Sequence, residues 1–196
     1  IDCNVQAPAD MLSPGRIGMT AILPVRFTAM KWYGKGPLET YPDRQCGGRM
    51  GVYSEDVRNQ PFYLRPQEYG LHTESRSMRL TDPDRADFVR FEAACPMAMS
   101  AVPYSDLQLW NARHPPELPA PEALYVHLDY AHRGLGNSSC GPDALPTYRI
   151  DDRPCRFGFA LEAGLGERED NPFGPIPEEI PAYHPWKAVG EQDRTP

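Results

Sequence analysis

Apolar and polar residues alternate through four stretches of this chain. In "RIGMTAILPV" Ile17, Met19, Ala21 and Leu23 share one side; in "DFVRFEA" Val89, Phe91 and Ala93 oppose Phe88, Arg90 and Glu92. "LYVHLDY" sets Leu124, Val126, Leu128 and Tyr130 against Tyr125, His127 and Asp129, and "PCRFGFALEAG" groups Cys155, Phe157, Phe159 and Leu161. A period of two is that of an extended strand with one face buried, so each stretch is read as a strand. "SPG", "TDPD", "RHPPELPAP" and "DDRP" lie between them and carry the residues that turns require. Ile1, Cys3 and Val5 alternate as well, and a chain that opens in mid-strand is expected to be part of something longer.

One stretch has helical spacing instead. "YSDLQLWNARH" places Leu107 and Trp110 three residues apart, with Ser105 positioned to cap the first turn and no proline before Pro115. It predicts a helix of about two or three turns. The 23 prolines disfavour long helices and central strands elsewhere, because proline lacks the backbone donor both need. The expected class is therefore all-β: an antiparallel sandwich with one short helix. Periodicity ends near Gly164, and residues 164–196 form a proline-rich, acidic tail or linker behind a domain of residues 1–163.

Composition narrows the function classes. A net charge of −7, with seventeen arginines scattered among acids, argues against a nucleic-acid binder. No apolar run approaches the roughly 20 residues that span a bilayer, so no membrane partner is expected. Cys3, Cys46, Cys95, Cys140 and Cys155 form no C-x-x-C pair and no zinc spacing. A reducing compartment, the cytoplasm, is the expected setting. Neither a metal nor a cofactor is expected in this chain.

Three motifs are dense in turn residues and charge. "WYGKGPLETYPDR" (32–44) offers Glu39, Asp43 and Arg44 to lock a loop through charge-assisted bonds. "FYLRPQEYG" (62–70) offers Arg65 and Glu68, either to bind a polar ligand or to pair internally. "GLGNSSCGPD" (134–143) surrounds Cys140 with glycines and hydrogen-bonding side chains. No histidine pairs with Cys140 by local motif and no second thiol lies at ligand spacing, which disfavours both a nucleophile and a metal ligand.

Taken in order, these motifs and the surrounding "LDYAHRGLGNSSCGPDALPTYRI" resemble the C-terminal domain of family 2 β-galactosidases, the lactose-cleaving type, over about residues 1–163. Tyr69 stands where that family commonly has Asn, and the Gly134 loop is one residue shorter than in many members. The resemblance implies an antiparallel β-supersandwich, galactose-mutarotase-like, which starts upstream of Ile1 in the family. It implies a TIM-barrel catalytic domain as partner, in the same chain or a separate subunit, and a galactoside as substrate. The catalytic glutamates of the family lie in that barrel and have no counterpart here, so this chain is expected to be inactive alone and to lend a loop to the barrel's active site.

By the same resemblance Asn137, Ser138, Ser139 and Cys140 would meet the sugar, with Cys140 where many members carry a tryptophan. His132 matches a histidine common in the family and would position that loop. A carbohydrate-binding module without catalysis and an aldose-1-epimerase-like enzyme are the alternatives. Strand edges left unpaired by missing upstream residues would make the chain an oligomer.

Overall fold

The computed structural model describes residues 1–6, 13–65, 67–136, 141–151 and 153–166. Eight antiparallel strands form one branched sheet: β1 (Asp2–Val5), β2 (Arg16–Pro24), β3 (Ala29–Gly36), β4 (Arg49–Asp56), β5 (His72–Thr81), β6 (Phe88–Val102), β7 (Ala123–His132) and β8 (Cys155–Gly164). The all-β, antiparallel expectation is met, and each of the alternating stretches is a strand. The first motif is expected to be a loop, but its residues 32–36 are the end of β3: β4 pairs all of them, and β5 pairs Trp32 and Tyr33. Trp32 is fully buried there, and Gly34 and Gly36 weaken only the local propensity that pairing overrides.

The fold turns on β6. Along one side it pairs with β5; on the other its first half pairs with β8 and its second half with β7. Between Ser75 and Ser77 of β5 the partner residue on β6 jumps from Met97 to Glu92. This wide bulge contains Pro96, which has no N–H for a ladder, and a bulge bends its strand. The β8–β1 and β7–β2 branches then face each other: Tyr130 stacks on Phe157 with centroids 5.6 Å apart, and Cys3 meets Met19 at 3.4 Å. Met30, Trp32, Met78, Leu80, Phe91, Met97, Leu124, Val126, Leu128 and Phe157 fill the space between as a single core.

The helix α1 (Asp106–Asn111) carries the cap read from the sequence. Ser105 Oγ accepts from the Gln108 N–H, and the Gln108 side chain accepts from the Ser105 N–H. Leu109, not the Leu107/Trp110 pair, is the buried residue, packed with Tyr69 and Val102. Leu107 and Trp110 are 67% and 68% exposed. A helix of six residues presents too little surface to bury two faces. Among the described residues no helix is long and apolar enough to cross a membrane.

Candidate functional site

The three motifs meet at one end of the sandwich, and the acids of the first hold the other two. Glu39 accepts hydrogen bonds from the Gly70 N–H (2.7 Å), the Tyr63 hydroxyl and Arg44, which fastens residues 62–70 in place. Burial and the bond to Glu39 push the Tyr63 phenol up to about 12. Asp43 reaches the third motif: Oδ1 accepts from the Leu135 N–H (3.1 Å) and Oδ2 from the Gly136 N–H (2.7 Å). Gly136 has φ +58°, and a Cβ there would lie 2.5 Å from the Ala144 nitrogen, so the turn requires glycine.

The far stem of the same loop is tied back. Arg133 donates to Asp143 Oδ1 at 2.6 Å, Asp143 also accepts from the Ala144 N–H at 2.7 Å, and the Gly134 N–H donates to Tyr148 O at 2.7 Å. The described residues on both sides of 137–140 are thus held by charge-assisted bonds, the strong class of hydrogen bond. Asn137, Ser138, Ser139 and Cys140, the residues expected to meet a sugar, lie outside the described residues.

Beside these stems lies a cleft of about 650 Å³, lined among others by Arg16, Glu68, Asp106, Trp110 and His132. A bulge in the β2–β7 pairing builds its floor. Arg16 pairs with His132, Ile17 with Ala131, and Gly18 with Asp129, so Tyr130 is the extra residue. One extra residue reverses the alternation, and His132 joins His127 and Asp129 on one face, opposite Arg16, Gly18 and Thr20. A Cβ at Gly18 would lie 2.4 Å from Asp129 Oδ1, so only glycine leaves room for this carboxylate.

Arg16 sits among acids: it bonds Glu68, lies 3.6 Å from Asp129 and 3.8 Å from Asp106. His132 Nε2 is 3.5 Å from Glu68, and its Nδ1 is 2.7 Å from Arg133 O. Burial alone would raise the Glu68 pKa, but His132 and Arg16 outweigh it and hold the carboxyl below its ordinary value. For His132 burial opposes the charged form, yet Glu68 and Asp129 carry its pKa upward. Burial, reinforced by the Arg16 charge, lowers His127 to about 4. Burial raises Asp129 to about 6 against the pull of Arg16. The cleft thus joins an Arg–carboxylate–imidazole array to an exposed indole. Among the described residues no group of three or more His, Cys, Asp or Glu is arranged to hold a metal ion.

Of the sequence-derived candidates, His132 and Glu68 come together here. Arg16, Asp106, Trp110, His127 and Asp129 were not singled out as site residues. Their signal was weak, because alternation gives His127 and Asp129 only the polar face of a strand, and Arg16, Glu68 and Asp106 approach that face from elsewhere in the chain.

The described residues thus form an all-β module with held loop stems beside a polar cleft. The comparisons give it a family. Residues 1–161 match the family described as Beta galactosidase small chain, and the chain belongs to that family. It is 31% identical over 156 residues to a β-galactosidase of Staphylococcus xylosus, covering 78% of this chain and 16% of that protein. It is 35% identical over 157 residues to a β-galactosidase of Arthrobacter sp. (strain B7), covering 76% of this chain and 15% of that protein. It is also 39% identical over 123 residues to β-galactosidase BgaC of Bifidobacterium adolescentis, covering 61% and 12%. The chain spans about a sixth of the length of the curated relatives it matches.

Proposed function

We propose that this chain is the non-catalytic C-terminal domain or small subunit of a family 2 β-galactosidase. In this reading its 134–143 loop forms one wall of the active site of a TIM-barrel catalytic domain. The observation that carries the reading is the clamp: Asp43 from one side and Arg133–Asp143 from the other hold both stems of that loop. A wall that must keep its position against a sugar needs such pre-organisation, because a misplacement of about 1 Å is costly in rate.

Retaining glycoside hydrolysis requires a nucleophilic carboxylate and an acid/base carboxyl about 5–5.5 Å apart. Here the acids at the motif junction have structural work: Glu39 receives three donors and Glu68 balances Arg16 and His132. The barrel supplies the two glutamates, this domain supplies shape and hydrogen bonds, and no cofactor is required of this chain. The assembly is a cytoplasmic oligomer acting on terminal β-galactosides.

Kinetics on the complete enzyme test this. The 196-residue chain alone should not turn over lactose, and Cys140→Trp in the complete enzyme should change KM for disaccharides more than kcat. Turnover by the chain alone, or an unchanged KM, would sink the reading.

A further inference from the structure

We propose that the apolar groove walled by Phe62, Tyr69 and Tyr104 is the docking site of this chain's own residues 175–186, "PIPEEIPAYHPW". The groove lies beside Leu124, at the other end of the β2–β7 pair from Arg16 and His132, and holds about 360 Å³. Val25, Pro103 and Pro121 complete its walls. Phe62 meets Tyr69 edge-on, with centroids 5.3 Å apart, and Tyr104 at 5.9 Å, so the three rings form one continuous surface. Val25 and Phe62 are each 38% exposed, and covering such apolar surface is favourable.

The walls decide what fits. Clustered aromatic rings flanked by prolines form the kind of groove that receives proline-rich peptide, whose extended helix is already formed and loses little entropy on binding. Tyrosine hydroxyls can donate to the carbonyls that such a peptide leaves without internal partners. Residues 167–196 contain six prolines. Four of these, Pro175, Pro177, Pro181 and Pro185, alternate with Ile176, Ile180, Tyr183 and Trp186. The volume is near the lower bound for small-ligand sites, about 300 Å³, which suits one or two such side chains and not the face of a domain.

Position selects this segment over a peptide from elsewhere. β8 delivers Gly166 to the turn between β5 and β6, where a Cβ would lie 3.9 Å from Arg85 O. Arg26 holds the same turn, 3.0 Å from Asp82 and 3.9 Å from Asp87, and its neighbour Val25 is a wall of the groove. The stretch from Gly166 to Pro175 reaches about 28 Å in polyproline form, while the 82–87 turn and Arg26 link exit to groove. A short tether gives the segment an effective concentration of about 1 mM, so even a weak contact is populated.

The experiment is photo-crosslinking in the full 196-residue chain carrying Trp186→p-benzoylphenylalanine, followed by peptide mapping. Crosslinks within one chain to residues 60–62, 103–104 or 121 are expected. Amide hydrogen exchange gives a second readout on Tyr183→Ala/Trp186→Ala. Exchange at Phe62 and Tyr104 should accelerate by about 3- to 10-fold, the ratio of that effective concentration to an affinity of about 0.1–0.3 mM. The β5–β6 ladder should be unchanged, because neither substituted residue belongs to it. Crosslinks elsewhere in the chain, crosslinks between two copies, no crosslink, or equal exchange at Phe62 and Tyr104 in variant and wild type would each overturn the proposal.

Discussion

Asp43 holds the backbone N–H groups of Leu135 and Gly136 with its two carboxylate oxygens, at 3.1 and 2.7 Å, across more than ninety residues of sequence. This one side chain joins the first motif to the third. It converts a turn that glycine makes pliable into one of fixed position.

Asp43→Ala should therefore cost stability and loosen the loop stem together. Leaving partly buried donors unpaired costs about 1–3 kcal/mol. The thermal midpoint should fall accordingly, and amide exchange at Leu135 and Gly136 should accelerate beyond that at the β6–β7 ladder. Asp43→Asn retains one acceptor oxygen and should fall between. Equal exchange at the loop stem in Asp43→Ala and wild type would show that other contacts hold it.

Asp129 makes stability depend on pH in an unusual sense. Its folded-state pKa, about 6, lies above the ordinary 3.8, so between those values the unfolded chain releases a proton that the folded chain keeps. The folded state binds more protons there, and stability falls as pH rises through the window. Asp129→Asn lacks this titration. From pH 3.5 to pH 7 the stability difference should shift toward the variant by up to about 3 kcal/mol. Urea midpoints across that range measure it, and a difference that stays flat with pH would exclude a raised Asp129.

His72 acts in the opposite direction. It is buried against Trp32, ring centroids 3.9 Å apart, and burial lowers its pKa to about 3. The unfolded chain takes up a proton below about 6.5 while the folded chain does not, so stability is lost as pH falls through that range. His72→Phe keeps an aromatic ring on Trp32 and removes the titration. Relative to its value at pH 7.5, the variant should gain about 2 kcal/mol over wild type at pH 5. The slope with pH isolates the imidazole from any packing change, and parallel pH profiles would refute this account.

Much of the fold was legible along the chain. The alternation in "LYVHLDY" and "DFVRFEA" marked strands, and Ser105 marked a capped helix start, because strand period and helix caps are set by neighbours in sequence. Glu39 and Asp43 were legible as locking acids, though not what they lock. The helix face was not legible: Leu107 and Trp110 have the spacing of a buried pair, but Leu109 is the residue that reaches Val102 and Tyr69. That choice depends on where the sheet lies relative to the helix, which local spacing does not encode.

The chain's own order of residues determined its class, its antiparallel strands, its turns and the three motifs that mark its family. Tertiary structure alone decided the cleft. An extra residue at Tyr130 reverses the alternation of β7, so His132 comes round to the face of His127 and Asp129. There Arg16, more than a hundred residues earlier, supplies the charge that offsets the burial of the Asp129 carboxylate. Burying ionisable groups costs several kcal/mol unless they are paired. The partner was written in the sequence, but only strand pairing across the sheet brought it within reach.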